Sequence, residues 1–268
     1  MLKIQAPPLS KPTTKSLRAR QARVNQAGTY ATQVTEAKRL FAQYNKRGDA
    51  AFDEVKLALD RICPGVRRCH YCQDSCADEV EHIRPKDLYP REVFAWGNYL
   101  YACGPCNGPK NNRYAVIVNQ QLVDVTRRRG ARVTRPRTGI HAILDLRVDD
   151  PVRFLRLDLS GTFRFEVIPK RGSIDHLRAT YTLDVLALNT RETLRRQRKN
   201  AYVGYLARLE LYVKTRNQGP RARPRLAELA DSLKSVDHPT VWSEMKRQRA
   251  SYRELKALFA AAPEALTW

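Results

Sequence analysis

Two cysteine pairs share a spacing that suits a metal ion: Cys69-His70-Tyr71-Cys72 and Cys103-Gly104-Pro105-Cys106. A C-x-x-C turn aims two thiolates at one tetrahedral ion, and two such turns complete a four-sulfur zinc site. Gly104-Pro105 supplies the turn chemistry of the second pair. A disulfide framework is disfavoured by the paired spacing and by the cytosolic setting expected below. Cys63 and Cys76 fall outside the pairs and read as spare thiols, and His70 reads as a loop residue rather than an extra ligand. A structural zinc of this kind contributes about 10 kcal/mol or more to folding.

Between and just beyond the pairs lie Glu79-Val80-Glu81-His82-Ile83-Arg84-Pro85-Lys86, Trp96-Gly97-Asn98-Tyr99-Leu100 and Asn107-Gly108-Pro109-Lys110. The order is C-x-x-C, an acid-His pair before Ile-x-Pro, an Asn before an aromatic-Leu pair, then C-x-x-C-[HN]-x-x-K. It resembles the HNH, or ββα-metal, nuclease motif in its zinc-containing form. The resemblance implies that Glu81 is a metal ligand, His82 the general base, Asn98 the residue that orients the His loop, and Asn107 a second metal ligand. Hydrolysing a phosphodiester needs an activated water and neutralisation of developing charge, which a neutral imidazole and one divalent ion supply. Asn107 departs from the His version of the motif. A carboxylate plus an amide oxygen favours Mg²⁺ or Mn²⁺ over zinc at the catalytic position. Lys110, Arg84 and Lys86 are candidate phosphate contacts, and Asn111 is a weaker candidate ligand. On a strand, Glu81 and His82 point to opposite faces, so the motif calls for a bend there.

Within that family, the phrases Glu81–Lys86 and Asn107–Lys110 are similar to the stand-alone HNH nucleases of Septu and retron anti-phage defence systems. Met1-x-x-Ile4 with Pro8-Leu9, and Leu183-x-x-Leu186-x-Leu188-Asn189, add diffuse similarity. The narrower resemblance implies an effector of bacterial anti-phage defence, controlled by a separate ATPase subunit. The chain has no Gly-x-x-x-x-Gly-Lys-Ser/Thr of its own, so nucleotide hydrolysis falls to another chain.

The elements that must position these residues are legible in outline. Pro7, Pro8 and Pro12 argue against an early helix, so the first 35 residues read as a solvated basic arm. Val34, Ala37, Leu40, Phe41 and Tyr44, then Phe52, Val55, Leu59 and Ile62, recur at helical spacing. Residues 116–118 and 122–125 read as short strands, and residues 154–167 as a β-hairpin turning at Ser160-Gly161. After Gly172 the pattern is helical. Asn189-Thr190 reads as a helix cap, residues 217–224 as a loop, and two further helices fit Leu226–Leu233 and Val241–Phe259. The expected class is α+β: a small ββα-metal/zinc-ribbon nuclease core embedded between N-terminal helices and a mostly helical C-terminal region. The expected blocks are 1–62 (basic arm and helices), 63–116 (zinc-ribbon core), 117–173 (β-rich basic segment) and 174–268 (basic helices).

Charge fits that division. The 268 residues carry 49 Lys+Arg against 27 Asp+Glu, a net charge of +22, with 43% hydrophobic content. That composition excludes a disordered polycation and points to a folded protein with a polyanionic partner. Residues 61–114 have a surplus of only 2 basic side chains, whereas residues 1–60 have a surplus of 6. Arg127, Arg128, Arg129, Arg132, Arg135 and Arg137 form a stretch without an acid and are candidate phosphate contacts. No apolar run suits a membrane span or a secretory signal, so a cytoplasmic protein is expected. The expected activity is metal-dependent endonucleolytic cleavage of nucleic acid, with DNA the favoured polymer. The rivals are a non-catalytic zinc-ribbon nucleic-acid-binding protein and a regulatory subunit with a vestigial nuclease site.

Overall fold

The structure, a computed structural model, describes residues 1–64, 66–219 and 223–268. It is an α+β fold. Three N-terminal helices, α1 (Lys11–Asn25), α2 (Tyr30–Tyr44) and α3 (Ala50–Arg61), precede a hairpin of β1 (Glu79–His82) and β2 (Tyr99–Ala102). The short helix α4 (Gly104–Lys110) follows β2 directly. A second sheet, in the order β4-β3-β5, is built from β3 (Ala115–Val118), β4 (Gln121–Asp124) and β5 (Ile140–His141). A hairpin of β6 (Leu155–Leu157) and β7 (Phe165–Val167) leads to α5 (Ile174–Val185), α6 (Glu192–Arg216), α7 (Arg223–Lys234), α8 (Pro239–Arg247) and α9 (Arg253–Ala261). Among the described residues, no helix is long and apolar enough to cross a membrane.

The first helix corrects the solvated arm expected of the N-terminus. Pro12 sits in its first turn, where the missing N–H has no intrahelical partner to lose. Ser10 caps that turn by accepting from the Thr13 N–H. Glu54 of α3 then accepts from the Ser10 N–H at 2.7 Å and from the Ser10 and Thr13 hydroxyls at 2.6 Å each. Arg20 makes a two-pronged pair with Asp49 and lies 3.9 Å from the Tyr44 ring centroid. Met1 is buried, and its backbone nitrogen donates to Thr240 Oγ1 at 2.7 Å.

Three expectations for the C-terminal region also change. The helix expected over 241–259 is two helices, α8 and α9, broken by a short 3₁₀ turn at Arg249–Ser251. Asn189 does not cap α6. Its side chain brackets Phe165 instead, accepting from the N–H and donating to the carbonyl at 2.8 Å each. Arg223 and Pro224, read as loop, open α7, while residues 220–222 of that loop lie outside the described residues.

Two buried clusters meet at the β1–β2 hairpin, which is antiparallel with Glu79 opposite Ala102 and His82 opposite Tyr99. Alternation sends Val80, Tyr99 and Tyr101 into the cluster formed with Leu40, Phe41, Phe52 and Leu59 of α2 and α3. Leu100 and Ala102 face the other way, into a cluster that holds the four paired cysteines and reaches Leu209, Met245 and Phe259 of the C-terminal helices. Both faces of β2 are therefore buried. The hairpin is a partition shared by two cores.

Candidate functional site

The two cysteine turns converge. The Sγ atoms of Cys69, Cys72, Cys103 and Cys106 lie within 4.8 Å of one another, and all four residues are buried. Four sulfurs about 2.3 Å from one ion stand about 3.8 Å apart at tetrahedral angles. Cys72 Sγ and Cys103 Sγ are 3.7 Å apart, against about 2.05 Å in a disulfide. This donor set fits a metal such as zinc. Cys63 and Cys76 stay outside it.

Local chemistry builds the site. Gln73 takes a left-handed backbone (φ 61°) that closes the first turn, with its N–H donating to Cys69 O at 2.8 Å. His70 is buried between the turn and β2, where its N–H reaches Tyr101 O and its Nδ1 accepts from the Tyr101 N–H, both at 3.0 Å. Burial, then the Arg147 charge, lower the His70 pKa to about 3, so this imidazole is neutral. Cys103 sits at the N-cap of α4, accepting from the Asn107 N–H at 2.8 Å. An arginine not foreseen in the sequence completes the surroundings: Arg191 donates to Cys106 Sγ at 3.2 Å. Its charge would offset part of the negative charge that four thiolates bring to a bound metal ion.

The second cluster surrounds β1. Glu79 and Glu81 project toward α4, and His82 projects toward α2. The imidazole packs 4.5 Å from the Phe41 ring centroid and 5.2 Å from that of Tyr99. His82 Nε2 lies 2.9 Å from Val93 O. A carbonyl can only accept, so Nε2 carries the proton and Nδ1 keeps a lone pair. Burial, then the nearby Lys86 ammonium, lower the His82 pKa to about 3, so the ring is neutral. The Val93 carbonyl also accepts from the Tyr99 hydroxyl at 2.6 Å, which fixes its direction.

Asn98 brackets the segment after His82. Its Oδ1 accepts from the Arg84 N–H at 2.8 Å, and its Nδ2 donates to Arg84 O at 3.0 Å and Glu92 O at 3.1 Å. Arg147 holds the same turn from outside, donating to Tyr99 O and Trp96 O at 3.1 Å and lying 4.4 Å from the Trp96 ring centroid.

Glu81 is buried, and burial raises its pKa against the opposing pull of the Lys110 ammonium. Lys110 is fully buried, in contact with the Glu81 carboxylate and donating to His82 O at 2.8 Å. It faces inward, where a phosphate contact was expected. Asn107 Nδ2 donates to Glu79 Oε2. Glu79 was missed in the sequence, although its position two residues before Glu81 puts it on the same strand face. Fixing Nδ2 on Glu79 commits Asn107 to present Oδ1 elsewhere. Two contacts therefore cross from β1 to α4: Glu79 with the Asn107 amide, and Glu81 with the buried Lys110 ammonium, which occupies that carboxylate.

The remaining basic candidates divide by exposure. Arg84 pairs with Glu92 and lies 3.7 Å from Asp145. Lys86 lies 5.1 Å from the Phe41 ring centroid, and burial lowers its pKa. Arg127 is tied inward, pairing with Asp87 at 2.8 Å and donating to Tyr30 Oη and Thr134 O. Arg128, Arg129 and Arg132 are exposed.

Fold and site together define an α+β protein with a buried four-cysteine cluster that could hold a metal such as zinc, beside a buried acid–histidine strand. Over 82 residues the chain is 32% identical to the Septu protein PtuB of Bacillus thuringiensis, a match covering 29% of this chain. The match spans 32% of PtuB, about a third of its length. No protein-family model matches the chain, and no solved structure matches it.

Proposed function

We propose that the protein is an HNH-type, metal-dependent endonuclease that hydrolyses phosphodiester bonds of nucleic acid, DNA foremost. Its cellular role is that of an effector in a Septu-like defence system, working with a separate ATPase subunit in the cytoplasm. The observation that carries the enzymatic part is the His82 imidazole, held as the Nε2–H tautomer by the Val93 carbonyl. A neutral ring with a fixed tautomer and a lone pair on Nδ1 can take a proton from water, and the negative charge of a bound phosphate would raise its pKa from about 3 toward the working range. Asn98 keeps the following segment in place, so the ring direction does not depend on a mobile loop.

Glu81 and Asn107 would hold a Mg²⁺ or Mn²⁺ ion, with Glu79 orienting the Asn107 amide through Nδ2. When bound, that ion supplies neutralisation of the phosphate charge and of the leaving oxygen. Lys110 would move from Glu81 toward the negative charge of the bound phosphate. Cys103 and Cys106, at the start of α4, would hold a zinc ion together with Cys69 and Cys72, and that tether would fix the position of Asn107.

The defence role draws its support from the similarity to PtuB, which covers a minority of each chain. One observation favours a second reading, a non-catalytic nucleic-acid-binding protein: Glu81 and His82 project to opposite faces of β1, and Lys110 closes the acid. Plasmid incubation with Mg²⁺ or Mn²⁺ decides between them. Wild type should cut, and His82→Ala should lose cutting by about 10²-fold or more while keeping its zinc. Equal DNA binding by both, with no cutting by either in any metal, would establish the second reading.

A further inference from the structure

The segment that holds His82 also forms one wall of a separate cavity of about 360 Å³, at the small end of ligand pockets and roomy enough for one nucleotide. Tyr30, Tyr89 and His141 give it aromatic walls, and Arg91, Arg135 and Arg137 stand at its rim. All three arginines are exposed, and from residue 125 to residue 144 the chain has no acid. Gly139 lets the arginine-bearing strap run against β3: a Cβ there would stand 2.7 Å from Ile117 O. The strap is anchored from within by Arg127. His141 leaves a buried Nδ1 without a hydrogen-bond partner.

We infer that this cavity binds a single unpaired nucleotide, its base against Tyr89 and Tyr30 and its phosphate between Arg135 and Arg137. Planar rings beside guanidinium groups match both halves of a nucleotide, and every base has a π-face to stack. A paired base presents no free face, so the ligand class is an unpaired or extruded base, not an intact duplex. Continuity assigns the nucleotide to a polynucleotide strand and not to a free mononucleotide. Glu92, in the cavity wall, pairs with Arg84, and its carbonyl is held by Asn98. Val93, the next residue, carries the carbonyl that orients His82. Assigning the nucleotide to a strand, and that strand as the one being cut, rests on the nuclease proposal; the binding of a nucleotide in the cavity does not.

The test uses the full chain with its zinc and no added Mg²⁺ or Mn²⁺. The probe is a DNA hairpin carrying one bulged 2-aminopurine, compared with a fully paired hairpin and with free AMP. The bulged probe should bind more tightly than the paired one and lose fluorescence on binding, because stacking quenches 2-aminopurine. Tyr89→Leu should abolish the quench and weaken bulge binding about 5- to 150-fold, the range that stacking of one base supports. Tyr89 also packs on Tyr114 and His141, so Arg137→Gln, at an exposed position, provides a second variant. It should weaken the bulged probe more than the paired one.

Equal affinity for paired and bulged hairpins, with no quench, would overturn the inference. Tight binding of AMP, with strand binding unchanged in both variants, would overturn the strand assignment. No cutting is read in this experiment, so its failure and that of the His82 test are separable.

Discussion

At the scale of single residues, the instructive pair is Glu81 and Lys110. An acid next to a histidine is visible in the sequence, and so is a lysine one helical turn after Asn107. Nothing in the spacing shows that the lysine is fully buried and turned onto that acid. Removing one partner of a buried pair leaves an uncompensated charge, which costs about 3–5 kcal/mol. Lys110→Met should therefore lower stability by about that much in urea unfolding, and Glu81→Gln with Lys110→Met should recover most of it. Additive losses would show that the two groups do not pair. Glu79 was within reach of the period-two rule but was passed over because no motif position claims it. The Val93 carbonyl had no signature at all, since any residue type supplies one.

At the scale of elements, local rules worked where one turn of chain decides the outcome. The C-x-x-C spacing located both converging cysteine turns, and helical periodicity found the buried stripe Val34, Ala37, Leu40 and Phe41 of α2. The same rules failed where tertiary partners decide. Prolines were read as barring α1, yet Pro12 opens it and Glu54 of α3 secures the cap. Asn189 had the composition of a cap and became a staple on β7. The sulfur cluster makes the strongest element-scale prediction, because zinc binding free energy is folding free energy for such a site. Cys69→Ser, or chelation of the wild type, should loosen both turns and the start of α4 together. Near-ultraviolet circular dichroism should report lost packing around Tyr71 and Tyr99. Unchanged spectra with stoichiometric metal removed would show that the cysteines are dispensable for the fold.

At the scale of the whole molecule, several imidazoles are buried neutral, and that sets a pH dependence. Burial, aided by the Arg84 and Arg178 charges, lowers His141 from 6.5 to about 4. Below 6.5 the unfolded chain takes up a proton that the folded ring refuses until about 4. Stability is therefore fully present above pH 6.5 and is lost as pH falls through that window. Urea midpoints should decline across it in wild type and decline less in His141→Phe. Zinc loss in acid is common to both proteins, so the difference isolates His141; parallel curves would show the ring is solvated. The net charge of +22 belongs to this scale too. Its exposed members include Arg128, Arg129 and Arg132, while Arg127 and Lys110 are spent on internal pairs. A last consequence comes from the hairpin walled in by two cores. Its amides have no local opening that avoids breaking one core or the other, so they belong to the slowest-exchanging unit of the protein. Amide deuteration should leave residues 79–82 and 99–102 protected until the chain unfolds globally, while the strap at 127–137 exchanges early. The candidate base would then ride on the part of the molecule that opens last, and any gating of it must come from the side chains and strap around it.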